Sequence, residues 1–143
     1  MVRGNGFAAS RKGLEDLYLA NSDGKRVLIV DDDEAIRTMV ERVLRRENFQ
    51  VDCARDGFEA IEKISQNDYT AILLDLMMPR IDGFGVLDFL RHHRPELGRA
   101  VIVMTANVPG ASDVMRTGKV SRVLAKPFDL NELLDYVKTS AAA

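Results

Sequence analysis

Between residues 25 and 140 the chain alternates repeatedly between a short apolar run and a longer stretch with helical spacing. The strongest runs are Val27-Leu28-Ile29-Val30, Ala71-Ile72-Leu73-Leu74 and Val101-Ile102-Val103-Met104. Weaker ones cover Val51 to Ala54 and Arg122 to Ala125. Runs this short, apolar at consecutive positions, suit strands covered on both faces. Between them Ile36, Met39, Val40, Val43 and Leu44 recur at helical spacing, as do Ala60, Ile61 and Ile64. Val86, Leu87, Phe89 and Leu90 form a third such set, ended by Pro95, and Leu130, Leu133, Leu134 and Val137 a last one. Asp56 with Glu59, and Asp129 with Glu132, are placed as helix-start pairs. After the fourth run, Pro109 and Gly110 break the pattern and leave a short helix around Ser112 to Thr117.

Strands that alternate with helices imply crossover connections and a parallel sheet. The expected fold is α/β: a flavodoxin-like, doubly wound, five-stranded parallel sheet in the order 2-1-3-4-5, with helices on both faces. A length of 143 residues suits one such domain, set at 25–140. Residues 1–24 are rich in Gly, Ser, Asn and basic residues and read as an extension or linker. Leu14, Leu17 and Tyr18 keep a short docking helix open there. The N-terminus lacks a secretory signal pattern, and no apolar run approaches the roughly 20 residues of a membrane span. A net charge of -2 and the lack of a basic stripe argue against direct nucleic-acid binding. A single cysteine, Cys53, excludes an internal disulfide, fits a cytoplasmic protein, and reads as buried packing in the second strand.

In an open parallel sheet, ligands gather outside the carboxyl ends of the strands. Strand one ends in Asp31-Asp32-Asp33-Glu34, strand three in Asp75, strand four in Thr105 and strand five in Lys126-Pro127. The order 2-1-3-4-5 makes these four ends neighbours. Acidic residues ahead of a helix are commonly caps, the preferred reading for Asp33 and Glu34. That reading does not extend to Asp75, because a charge closing an apolar strand needs a partner or a task. Clustered carboxylates repel, and a hard divalent ion such as Mg²⁺ removes the conflict. The set then describes a phosphoryl site. Asp75 is the oxygen nucleophile, Lys126 neutralises an equatorial oxygen, and Thr105 donates a hydrogen bond to another. His92 and His93, beside Arg91 and Arg94, read as solvated residues at a helix C-terminus.

The strings VLIVDDDEAIR, ILLDLMMPRIDG, VIVMTA and VLAKPF, in that order, resemble the response-regulator receiver domain from about Lys25 to Lys138. The resemblance implies that Asp75 is the phosphoacceptor. It places Asp31, Asp32, Asp75 and the Met77 backbone carbonyl on Mg²⁺, and makes Thr105 the switch hydroxyl and Lys126 the family's lysine. It implies a cis Lys126-Pro127 bond. It also implies a signalling switch rather than an enzyme, with a histidine kinase or histidine phosphotransfer protein as donor and an unknown downstream protein as target. Homodimerisation stays open. The chain departs from the family at Val123, where an aromatic is usual, and in the link Gly118 to Arg122. Met77 and Asn107 occupy positions where the family varies its phosphate lifetime. Two other readings remain. A phosphorylation-independent pseudo-receiver would keep the fold alone. A haloacid-dehalogenase-type phosphatase would use Asp31 as nucleophile and Asp33 as acid, although Glu34-Ala35 does not suit its motif.

Overall fold

The computed structural model describes residues 25–106 and 122–142. The possible helix at Leu14 to Tyr18, the short helix after the fourth strand, Asn107, and the link from Gly118 to Ser121 lie outside the described residues.

Five strands are formed: β1 (Arg26–Val30), β2 (Gln50–Ala54), β3 (Ala71–Asp75), β4 (Val101–Thr105) and β5 (Arg122–Ala125). The described helices are α1 (Glu34–Arg46), α2 (Gly57–Gln66), α3 (Gly83–His93) and α4 (Leu130–Ala142), with a 3-10 helix at Pro95–Ala100. All pairings are parallel, in the order β2-β1-β3-β4-β5. This is the doubly wound order the strand pattern predicted.

Side chains that alternate along each strand split the core into two layers. Leu28, Val30, Ile72, Leu74, Val101 and Val103 pack with Ala60 and Ile64 of α2 and Val86 and Leu90 of α3. Val27, Ile29, Ala71, Leu73, Ile102 and Met104 pack with Val40 and Leu44 of α1 and Leu133 and Val137 of α4. Burial on both faces is the physical reason the three central strands are apolar at consecutive positions. The edge strands β2 and β5 are only partly buried and carry the weaker patterns.

Each of the four described α-helices starts at an aspartate. Asp33 accepts from the Ala35 and Ile36 N–H groups, Asp56 from Glu59, Asp82 from Gly85, and Asp129 from Asn131. The Asp56–Glu59 pair differs from a capping box in one respect. The Glu59 carboxylate reaches back to the Arg55 N–H at 3.0 Å, one residue before the cap, and also takes the Arg55 guanidinium. The end of α2 is closed from a distance. Arg94 donates to the Ile64 carbonyl at 2.8 Å and pairs with Asp68 and Glu96. Arg94→Ala strips charge-assisted bonds from a helix end that cannot replace them all. It is expected to lower stability by about 2 kcal/mol in urea unfolding; a change within about 0.5 kcal/mol would show that α2 does not depend on it.

Cys53 is half-buried and packs against the core layer that holds Val27 and Ile29, and its thiol lies 3.5 Å from the Glu41 carboxylate. Burial, then the charge and hydrogen bond of Glu41, push the thiol up to about 11, so it stays protonated at neutral pH. His92 and His93 are exposed on the last turn of α3, as expected for a solvated helix end.

Candidate functional site

A parallel sheet delivers all its carboxyl ends to one edge. Val30 pairs in register with Leu74, Asp75 with Met104, and Thr105 with Ala125. Asp31 therefore leaves β1 beside Asp75, and Lys126 leaves β5 beside Thr105. The Lys126 N–H donates to the Thr105 carbonyl at 2.9 Å, which extends the ladder past the end of β5. Lys126-Pro127 is a cis bond, as the resemblance implied.

The Lys126 ammonium spans the two acids. Its Nζ lies 2.8 Å from Asp31 Oδ2 and 3.2 Å from Asp75 Oδ2. The second oxygen of each acid is used in the same way. Asp31 Oδ1 accepts from the Asp33 N–H at 2.9 Å, and Asp75 Oδ1 from the Met77 N–H at 3.1 Å. Each carboxylate is thus held by the amide two residues on and by a shared cation, which fixes both planes. Arg37 donates to the Asp31 carbonyl at 2.7 Å and steadies the turn into α1.

The site is nearly dry on its inner side. The Asp31 side chain is wholly buried, that of Asp75 is 7% exposed and that of Lys126 19%. Burial is the main reason the Asp75 carboxyl stands above its ordinary value. The Met77 N–H opposes the rise, the charge of Asp31 adds to it, and Lys126 only partly offsets it. Burial works against the Lys126 ammonium, yet the hydrogen bond and charge of Asp31, then Asp75, outweigh it and hold the lysine above its usual range.

Asp32 completes the cluster. One carboxylate oxygen from each of Asp31, Asp32 and Asp75 lies within 4.8 Å of the others, and Asp32 is exposed while its two neighbours are buried. Three acids around one ammonium leave an excess of two negative charges when all are ionised. All donors are hard oxygens, and the exposed side admits water. These properties fit Mg²⁺, which takes few carboxylates and keeps several waters. Asp33 has a different task as the cap of α1. Thr105 is wholly buried at the end of β4. Met77 gives its N–H to Asp75 while its side chain stands exposed.

The loop after β3 is held by backbone and side-chain contacts. Gly83 donates to the Leu76 carbonyl at 3.0 Å, and a Cβ there would stand 2.5 Å from the Asp75 carbonyl oxygen. Arg80 pairs with Asp56, with Nη2 at 2.5 Å from Oδ2. Sequence reasoning missed this pair. The available signal was the repeated Asp-Gly at the starts of α2 and α3, Asp56-Gly57 and Asp82-Gly83.

The family model for the response regulator receiver domain matches residues 27–138. The response regulator MprA of Mycobacterium sp. strain KMS is 38% identical over 109 residues, 76% of this chain and 47% of that protein. The chain thus spans about half the length of the MprA proteins it matches. PilG of Pseudomonas aeruginosa is 32% identical over 120 residues, 82% of this chain and 87% of PilG. Among solved structures, the receiver domain of the Francisella response regulator 1452 superposes with a TM-score of 0.75 at 28% identity, covering 82% of this chain and 97% of that one. The Thermotoga maritima response regulator TrrA, in complex with Mg(2+)-BeF, superposes with a TM-score of 0.72 at 31% identity, covering 81% and 98%.

Proposed function

Because the chain belongs to the response regulator receiver domain family of two-component systems, we propose that it accepts a phosphoryl group on Asp75 and uses it as a conformational switch. The observation that carries this reading is the Lys126 ammonium bridging Asp31 and Asp75, 2.8 and 3.2 Å away, inside the three-carboxylate cluster. The donor is a histidine kinase or a histidine phosphotransfer protein, and the output is contact with a downstream protein. These partners place the protein in the cytoplasm; no helix among the described residues is long and apolar enough to cross a membrane.

In the transfer, an Asp75 oxygen forms a bond to phosphorus as the bond to the donor imidazole nitrogen breaks. Asp31, Asp32, Asp75 and the Met77 carbonyl would hold Mg²⁺, which supplies charge neutralisation to the phosphoryl oxygens. Lys126 keeps its cation beside the acceptor and takes one equatorial oxygen. The Met77 N–H on Oδ1 orients the carboxylate. The product carries about two negative charges where Asp75 carried one. Thr105, at the end of the neighbouring strand, then hydrogen-bonds a phosphoryl oxygen and draws the chain after β4 with it. Inverting a 1:99 equilibrium takes roughly 5.5 kcal/mol, within reach of a few charge-assisted bonds. Val123 is partly buried against the α2–α3 side of the core. Without an aromatic ring there, output relies on the segment after β4 or another surface.

Mg²⁺ with beryllofluoride tests the switch directly. Amide shifts are expected at Asp75, Met77, Thr105 and Lys126, spreading into the segment after β4, and none of this in Asp75→Asn. Spectra that Mg²⁺ and beryllofluoride leave unchanged would favour a phosphorylation-independent interaction module.

A further inference from the structure

The loop that carries Met77 is fastened to α2, a helix that supplies none of the clustered acids or the lysine. The Gly83 N–H on the Leu76 carbonyl closes residues 76–83 into a ring. Inside that ring Arg80 has a φ of 61°, a left-handed conformation that a residue with a side chain adopts only when its surroundings hold it there. Its side-chain partners come from the start of α2. The guanidinium places Nε at 3.0 Å and Nη2 at 2.5 Å from Asp56 Oδ2, and Asp56 is itself buried. The same guanidinium lies over the Phe58 ring, 5.1 Å from its centre. The next residue, Ile81, accepts the Gly57 N–H at 3.0 Å, and a Cβ on Gly57 would overlap the Ile81 carbonyl. Three successive residues at the start of α2 thus grip two residues of the ring, and the same ring carries the Met77 N–H that donates to Asp75 Oδ1.

We propose that Arg80 is a positioning residue for the acceptor site: latched to Asp56 and Phe58, it holds the Leu76–Gly83 ring in the arrangement that keeps the Met77 backbone against Asp75. The proposal rests on the acceptor and metal roles given above for that site. Its consequence is that the affinity of the carboxylate cluster for Mg²⁺ depends on an ion pair that never touches the metal.

Two substitutions open the latch with little other damage. Arg80→Gly removes the guanidinium and suits a positive φ. Asp56→Asn keeps an oxygen for the Glu59 N–H and so keeps the cap, but loses the charge. Amide-shift titration of the whole chain with Mg²⁺ alone, and hydrogen exchange at the Met77 amide, read the outcome. Each variant is expected to raise the half-saturating Mg²⁺ concentration about tenfold, the loss typical when a partner behind a metal ligand is removed. Each should also speed Met77 exchange, and the double variant should be no worse than the more affected single one. Unchanged half-saturation and exchange in folded variants would overturn the proposal, even with a lower melting temperature. Defects that add in the double variant would also overturn it. A wild type that binds Mg²⁺ yet takes no phosphoryl group on Asp75 would sink the acceptor reading, while the latch is still judged by the titration. A wild type that binds no Mg²⁺ would sink both.

Discussion

Lys126→Met is expected to cost the fold about 3 kcal/mol in metal-free buffer near neutral pH. Removing one member of a buried charged set costs roughly 3–5 kcal/mol, because the remaining charges are left uncompensated. The lower end applies here, since the Lys126 side chain is 19% exposed and water reaches it. The variant leaves Asp31 and Asp75 facing one another, one wholly buried and the other nearly so. A divalent ion such as Mg²⁺ can then take the place of the ammonium between them. Added Mg²⁺ should therefore stabilise Lys126→Met more than it stabilises the wild type. Asp75→Asn gives the opposite contrast. It removes one of the two buried acids and leaves the Lys126–Asp31 pair intact, so its stability should stay within about 1 kcal/mol of wild type or rise. Urea unfolding of the three proteins with and without Mg²⁺ measures all of this. An unaltered midpoint for Lys126→Met without divalent ions would mean that the acids do not depend on the ammonium.

Gly83→Ala should be nearly as damaging, although alanine is the better helix former. In a helix interior the exchange gains about 1 kcal/mol. Here the new Cβ would meet the Asp75 carbonyl oxygen at 2.5 Å and Leu76 Cα at 2.6 Å. Both are backbone atoms, so no side chain can swing away. Relief requires β3 or the start of α3 to shift, at a cost of about 3 kcal/mol, the upper end for overpacking. The shift would fall on the residue proposed to accept phosphate, so acceptance should slow as well. Gly85→Ala is the internal control. Its Cβ would meet the Ile81 Cγ2 methyl at 2.6 Å, a side-chain atom that clears only if the β-branched Ile81, packed against the core, turns about χ1, so its loss should be smaller than at Gly83, under about 2 kcal/mol. Equal losses at the two glycines would remove the argument from the backbone clash.

The strand order was legible because burial on both faces leaves a mark on the sequence. Val27 to Val30, Ala71 to Leu74 and Val101 to Met104 have no polar side to show. The site was legible for a topological reason: each strand of a parallel sheet ends on the same edge, so listing the residues after Val30, Leu74, Met104 and Ala125 lists the candidates. The separate tasks within Asp31-Asp32-Asp33 were less visible. Residue pattern alone did not separate three adjacent aspartates, beyond favouring a cap for Asp33. The fold sends Asp31 inward to Lys126, leaves Asp32 exposed, and spends Asp33 on the first turn of α1. Contacts between segments far apart in sequence left no such mark. Arg94 on Ile64 and Arg80 on Asp56 join residues 30 and 24 positions apart, and no local spacing rule covers them. Glu59 was placed as a capping partner, but its bond to the Arg55 N–H depends on how the chain enters α2.

The central claim is that Asp75 is the acceptor. Its most direct test is incubation of the folded protein with acetyl phosphate and Mg²⁺, borohydride trapping of the acyl phosphate, and peptide mapping. Modification is expected at Asp75 alone, absent from Asp75→Asn and absent when Mg²⁺ is chelated. Modification at Asp31, or none in a folded, Mg²⁺-saturated protein, would contradict the account.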